Sequence, residues 1–168
     1  MRRMPNIAFD LAEVLLALLS VSALGKNILP YLGMTKKAFF FTVAYASLSV
    51  AAIALLATTP IGQYALAPFV EKGLVPGGMW FLIAYAIVLV LSEEVFFRIY
   101  LSKKISPLLA ALLFSAAHWR PDHFPVLIFP ILFLFALMQG WLLQKTSSLW
   151  SVTITHLAAL ATLVVIYG

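Results

Sequence analysis

The 168-residue chain has no cysteine. That absence excludes a disulfide framework, a thiolate nucleophile and any cysteine-bound zinc or iron–sulfur site. Charge is scarce too: Asp, Glu, Lys and Arg make up 10% of the residues, with 6 acids against 11 bases. A soluble domain carries about 25% charged residues, and a disordered chain needs high charge with low hydrophobicity, so neither class fits. There is no H-E-x-x-H zinc motif and no G-x-S motif for a serine nucleophile. An intramembrane aspartate pair is also missing, because Asp10 and Asp122 fall near segment ends. What the chain does have is apolar surface: 64% hydrophobic residues and a mean hydropathy of +1.05. A domain this small leaves a large share of its residues exposed, so the solvent that suits this composition is a bilayer.

The basic residues sit singly or in pairs between apolar runs, as in Arg2-Arg3, Lys36-Lys37 and Lys103-Lys104. This placement suits lipid headgroups and topology signals, whereas a nucleic-acid footprint clusters on one face. No nucleic-acid partner is expected. A helical span needs about 20 mostly apolar residues, and the runs of that kind are Ile7–Leu24, Ala38–Ala57, Met79–Leu101, Pro107–Trp119, Val126–Gln144 and Trp150–Tyr167. The fourth is short, about 20 Å by helical rise. The expected fold is all-α: a polytopic membrane protein of about six transmembrane helices around an intramembrane polar site, with residues 1–168 as a single domain.

Breakers mark the connections. Residues 25–37 include Pro30 and Gly33, and residues 58–78 include Pro60, Pro68, Pro76 and the Gly77-Gly78 pair. The second stretch also holds Tyr64, Leu66 and Phe69 and reads as a long loop at the membrane interface. Arg120 to Pro125 reads as a tight polar turn, which makes His123 a surface residue. Arg2-Arg3 followed by Val14–Val21 imitates a signal peptide. Asp10 and Glu13 interrupt that stretch and no A-x-A site follows, so it is expected to remain as the first span. The connections after spans one, three and five carry Lys26, Lys36, Lys37, Lys103, Lys104 and Lys145; the opposite side carries Arg2, Arg3, Lys72 and Arg120. The positive-inside rule favours the first group as cytoplasmic.

Ionisable groups inside apolar runs cost roughly 2.5–3.5 kcal/mol each on the insertion scale, which makes each a functional candidate. The third span ends Leu91-Ser92-Glu93-Glu94-Val95-Phe96-Phe97-Arg98. Glu94 and Arg98 are four apart, with the acid N-terminal to the base, the favoured order for a helical ion pair. Glu93 points about 100° away from Glu94 on an α-helix, so the pattern separates a structural pair from a free carboxylate. His118 follows Phe114 by four residues and shares its face, and His156 lies in the last span between Thr155 and Leu157. Counted from one membrane side, Glu93, His118 and His156 lie about 13, 16 and 9 Å deep by helical rise. Three spans therefore bring a carboxylate and two imidazoles to a similar level.

Two chemistries fit that set. In one, Glu93 is a general base on water, helped by His118, while His156 donates to the developing oxyanion. In the other, Glu93, His118 and His156 bind a catalytic zinc with one position open for water.

These residues resemble the CAAX protease and bacteriocin-processing (CPBP, Abi) family of glutamic intramembrane endopeptidases. Glu93-Glu94-x-x-x-Arg98 is similar to its E-E-x-x-x-R motif, and Phe114-x-x-x-His118 to its F-x-x-x-H motif. The stretch from Phe135 through Gly140 and Thr146-Ser147-Ser148-Leu149 to His156 is similar to the segment that ends in H-x-x-x-N. The family-like core covers about residues 80–160. The resemblance implies peptide-bond hydrolysis at the membrane by a water that Glu93 and His118 activate, with His156 at the oxyanion, Glu94, Arg98 and Phe114 in support, and neither metal nor cofactor. The family's asparagine falls on Leu160, which has no donor; Thr153 and Gln139 are the substitutes on offer.

The implied partner is a membrane-anchored protein or peptide, such as a C-terminal sorting or processing segment, met within the lipid bilayer. The expected location is the inner cell membrane, multi-pass, in a compact member of prokaryotic type. A non-catalytic immunity-type membrane partner or a proton-coupled transporter would use the same buried network. The first two spans weigh against a transport path, since beyond Asp10 and Glu13 they carry only Ser, Thr and Tyr.

Overall fold

The computed structural model of the chain describes residues 7–71, 79–118 and 126–167, with side chains over 11–66, 86–118 and 126–167. The described residues are all helical or short connections. In chain order they form α1 (Ile7–Leu24), a 3-10 segment (Gly25–Tyr31), α2 (Lys36–Ala57), α3 (Pro60–Glu71) and α4 (Met79–Glu93). A π-helical segment (Glu94–Leu101) follows, then α5 (Ser102–Lys104), α6 (Pro107–His118), α7 (Ile128–Thr146) and α8 (Leu149–Tyr167). Among the described residues, four helical stretches are long and apolar enough to cross a membrane: Leu11–Tyr31, Lys36–Ala57, Ile128–Thr146 and Leu149–Tyr167.

The two remaining expected spans differ from a plain membrane helix. Pro107–His118 is 12 residues long, about 18 Å by helical rise, short of the roughly 30 Å hydrocarbon core. Met79–Leu101 changes register at Glu94, where i→i+5 bonding replaces i→i+4. The Ser102 hydroxyl donates to the Phe97 carbonyl at 2.8 Å, five residues back, and continues that wider winding. Five of the eight π-helical residues are buried: Glu94, Val95, Phe97, Arg98 and Ile99.

The stretch read as an interfacial loop after residue 58 is in part the helix α3. Its start follows from local chemistry. Pro60 stands at the first helical position, where a missing N–H costs nothing, and the Thr59 hydroxyl accepts from the Gly62 N–H at 2.9 Å. Gly62 is required there, because a Cβ would collide with the Leu56 carbonyl at the end of α2. The Pro and Gly signals thus shape a helix-to-helix corner rather than an open loop. Pro68 falls inside the helix, and Pro76 and Gly77-Gly78 lie outside the described residues.

The outer faces are apolar. Phe40, Leu55 and Val165 are 73%, 71% and 84% exposed, and only 11% of the most apolar window of α2 is buried within the fold. A water-soluble protein does not expose contiguous apolar surface on that scale; hydrocarbon satisfies it, since each helix bonds its own backbone. Inside, α2 packs on α8, α6 on α7, and α1 along α4 and the π segment. Ser147, in the left-handed region at φ 48°, ends α7 and turns the chain into α8, its N–H donating to the Leu143 carbonyl at 2.7 Å.

Basic and aromatic side chains gather at one end. Lys103 stands over Tyr31 at 4.7 Å and Lys145 over Trp141 at 5.4 Å. Trp141 stacks on Tyr45 and meets Phe41, which in turn carries Lys37. Amphipathic rings and snorkelling lysines suit a headgroup layer. Lys72, Arg120, Asp122 and His123 lie outside the described residues.

Candidate active site

The polar centre is built where α4 passes into the π segment, facing α6, α8 and α1. Glu93 closes α4 and Glu94 opens the wider winding. Both are buried, at 8% and 0% exposure. Each has its own imidazole. His118 Nε2 lies 3.3 Å from Glu93 Oε1, and His156 Nδ1 lies 2.8 Å from Glu94 Oε1.

The hydrogen-bond partners assign protons. The Phe114 carbonyl only accepts, so His118 Nδ1, 2.8 Å away, carries a proton and donates it. A bond between His118 Nε2 and Glu93 then contains one further proton, held on the imidazole or on the carboxyl. His156 donates from Nδ1 to the Glu94 carboxylate, and its Nε2 stands 3.8 Å from Glu93 Oε2. This imidazole therefore bridges the two glutamates. Glu93 is less isolated than a helical wheel implies: it shares His156 with the Glu94 pair.

Glu94 Oε2 lies 3.3 Å from Arg98 Nε, at ion-pair distance without hydrogen-bond alignment. The guanidinium lies over the Phe114 ring at 4.2 Å, a cation–π contact in a desolvated setting. Phe114, 1% exposed, is the hub of the centre. It stacks obliquely on His118 at 4.2 Å, meets Phe97 edge-on at 5.3 Å and lies 6.3 Å from His156. Replacing it with leucine keeps apolar volume and loses the quadrupole. Phe114→Leu is expected to lower stability by about 1–2 kcal/mol, read as a lower thermal midpoint in detergent; an unchanged midpoint would contradict the hub role.

The substitute donors differ in commitment. The Thr153 hydroxyl donates to the Leu149 carbonyl at 2.9 Å. Gln139 is 1% exposed, and its amide finds no hydrogen-bond partner among the described residues. It lies one turn beyond Phe135, whose ring packs on His156 at 5.0 Å. Leu160 is half-buried.

One residue of the centre was missed by the motif reading. Glu13, on α1, is 7% exposed, and its carboxylate, that of Glu93 and a ring nitrogen of His118 lie within 4.8 Å of one another. That is the set among the described residues whose spacing would admit a cation, and it differs from the Glu93/His118/His156 set expected for zinc. The signal was available: an acid inside an apolar run. It was passed over because it sits near the start of its segment.

A multi-pass membrane protein with a buried carboxylate–imidazole centre is the class that fold and site define together. The family model of type II CAAX prenyl endopeptidases, Rce1-like, matches residues 75–162, more than half of the chain. The chain belongs to this family of glutamic-type intramembrane proteases. No curated protein and no solved structure matches it. The matched stretch holds Glu93, Glu94, Arg98, Phe114, His118 and His156; Glu13 falls outside it.

Proposed function

We propose that the protein hydrolyses a peptide bond in a membrane-associated protein, or in a C-terminal sorting or processing segment, with Glu93 as the base that activates water. The observation that carries this reading is the Glu93 carboxylate itself. It is buried between two imidazoles, and its Oε2 makes no hydrogen bond to any described residue. An acceptor so placed suits a water that loses a proton as it attacks.

In the step envisaged, the water O–H bond breaks as its oxygen joins the carbonyl carbon, and the proton passes to Glu93. His118 orients the carboxylate. Negative charge grows on the carbonyl oxygen, where His156 donates from Nε2. That donation takes an imidazolium, which Glu94 across Nδ1 stabilises. Collapse breaks the C–N bond, and the leaving amine takes the proton from Glu93. The reaction written this way uses no cofactor. The lysine-rich end is read as the cytoplasmic side of an inner cell membrane.

The test is co-expression with candidate membrane-anchored substrates, with new termini identified by mass spectrometry. Cleavage dependent on the intact chain is expected; none above the background of the Glu93→Gln protein would overturn the reading. If His156 carries the oxyanion, Leu160→Asn retains or raises turnover, since it adds a donor four residues along the same helix face. Thr153→Val and Gln139→Leu then each stay within about tenfold of wild type. A larger loss in either moves the donor role to that side chain.

A further inference from the structure

Away from the polar centre, toward the lysine-rich end, lies a groove of about 470 Å³. It is lined by Tyr45 of α2, Pro107 at the start of α6, and Leu137, Met138, Trp141 and Gln144 of α7. Small-molecule sites hold about 300–1,000 Å³. Counted back from Lys145, Gln144 is the next residue, Trp141 lies about 6 Å deeper and Leu137 about 12 Å deeper by helical rise. The Tyr45 ring stacks on Trp141 at 5.2 Å. The lining thus grades from an amide through amphipathic rings to hydrocarbon, the order of groups along a phospholipid.

The rim of the groove is cationic. Lys145 Nζ lies over Trp141 at 5.4 Å, and Lys37 Nζ over Phe41 at 5.9 Å. The Phe41 ring meets Trp141 edge-on at 6.2 Å, so one aromatic cluster holds both ammonium groups. Where side chains are described, the acids are Glu13, Glu93 and Glu94, all buried. Among the described residues, no ion pair joins a carboxylate to either lysine. Two like charges gathered without an acid favour an anion from the headgroup layer.

We propose that this groove binds one anionic phospholipid, with an acyl chain along Leu137 and Met138 and the phosphate between Lys37 and Lys145. The Trp141 indole N–H and the Gln144 amide supply donors for its ester and phosphate oxygens. Hydrocarbon alone does not tell one diacyl lipid from another; the uncompensated lysines do. Because the groove spans α2 and α7, a bound lipid ties these helices together and stabilises the fold. The site stands independently of the role of Glu93.

The test is native mass spectrometry and thermal unfolding of the full chain in detergent, with added dioleoyl phosphatidylglycerol or dioleoyl phosphatidylcholine. One phosphatidylglycerol per chain is expected to be retained and to raise the thermal midpoint. Phosphatidylcholine, with the same tails, is expected to do neither at equal concentration; equal retention of the two would overturn the proposal. Lys37→Gln and Lys145→Gln should each weaken phosphatidylglycerol binding about fivefold, the worth of one lysine at an anionic lipid surface. Lys103→Gln, at the same end but over Tyr31, should bind as wild type. A loss there equal to that in Lys37→Gln would reduce the effect to general surface charge and overturn the site. Met138→Trp fills the acyl end and is expected to abolish retention with both lysines in place. Undiminished retention in the folded Met138→Trp protein would put the lipid elsewhere and overturn the groove. If that variant does not accumulate, the lysine series decides.

Discussion

Glu93→Gln is expected to abolish cleavage while the protein still inserts, folds and accumulates as wild type does. General bases contribute about 10²–10⁴-fold, and an amide oxygen cannot take the proton of the attacking water. The substitution is nearly isosteric, so packing against His118 and His156 is kept. A glutamine at 93 can still donate or accept toward His118 Nε2, now 3.3 Å from Glu93 Oε1, so the fold loses little. The charge it removes takes no part in the Arg98 pair at contact distance. Cleavage by Glu93→Gln at more than about a tenth of the wild-type rate would show that another group activates the water.

Glu94→Gln and Arg98→Met are expected to act on stability first. Glu94 is 0% exposed and faces both Arg98 and His156. Removing its charge leaves a buried guanidinium without its contact carboxylate, and breaking such a pair costs about 3–5 kcal/mol. Against a typical total of about 5–15 kcal/mol, either single change should sharply lower accumulation and the thermal midpoint. The double variant, with both charges gone, should be more stable than the sum of the singles predicts. Additive losses would mean that the two side chains do not act as a pair. Residual activity in these variants should scale with the amount folded, unless His156 loses its orientation along with Glu94.

The contrast between adjacent glutamates was legible in the sequence, because the i, i+4 spacing of Glu94 and Arg98 pairs them on any helix close to α. Its geometry was not. A helical wheel assumes a constant winding, and the π segment begins at Glu94 itself. The wider turn buries Glu94, Val95, Phe97, Arg98 and Ile99 together. The connection between the glutamates through His156 was equally invisible, because it joins residues 62 positions apart. The helix α3 was hidden by its own prolines, which read as breakers until Pro60 is recognised as a first-turn residue with Thr59 as its cap.

By itself the sequence determined the solvent and the ionisable groups placed within it. Apolar runs of span length exclude water as the surrounding medium, and the few ionisable groups inside them had to meet each other or be expelled. Motif spacing supplied the family and, with it, the class of reaction. Tertiary structure decided the pairings: His118 with Glu93, His156 with Glu94, Arg98 over Phe114, and Glu13 against Glu93 and His118. The reason is physical. Hydropathy and periodicity are local sums along one helix, whereas the charge balance of a buried centre is set by side chains from α1, α4, the π segment, α6 and α8 that share no sequence neighbourhood. Only their convergence fixes which imidazole meets which carboxylate.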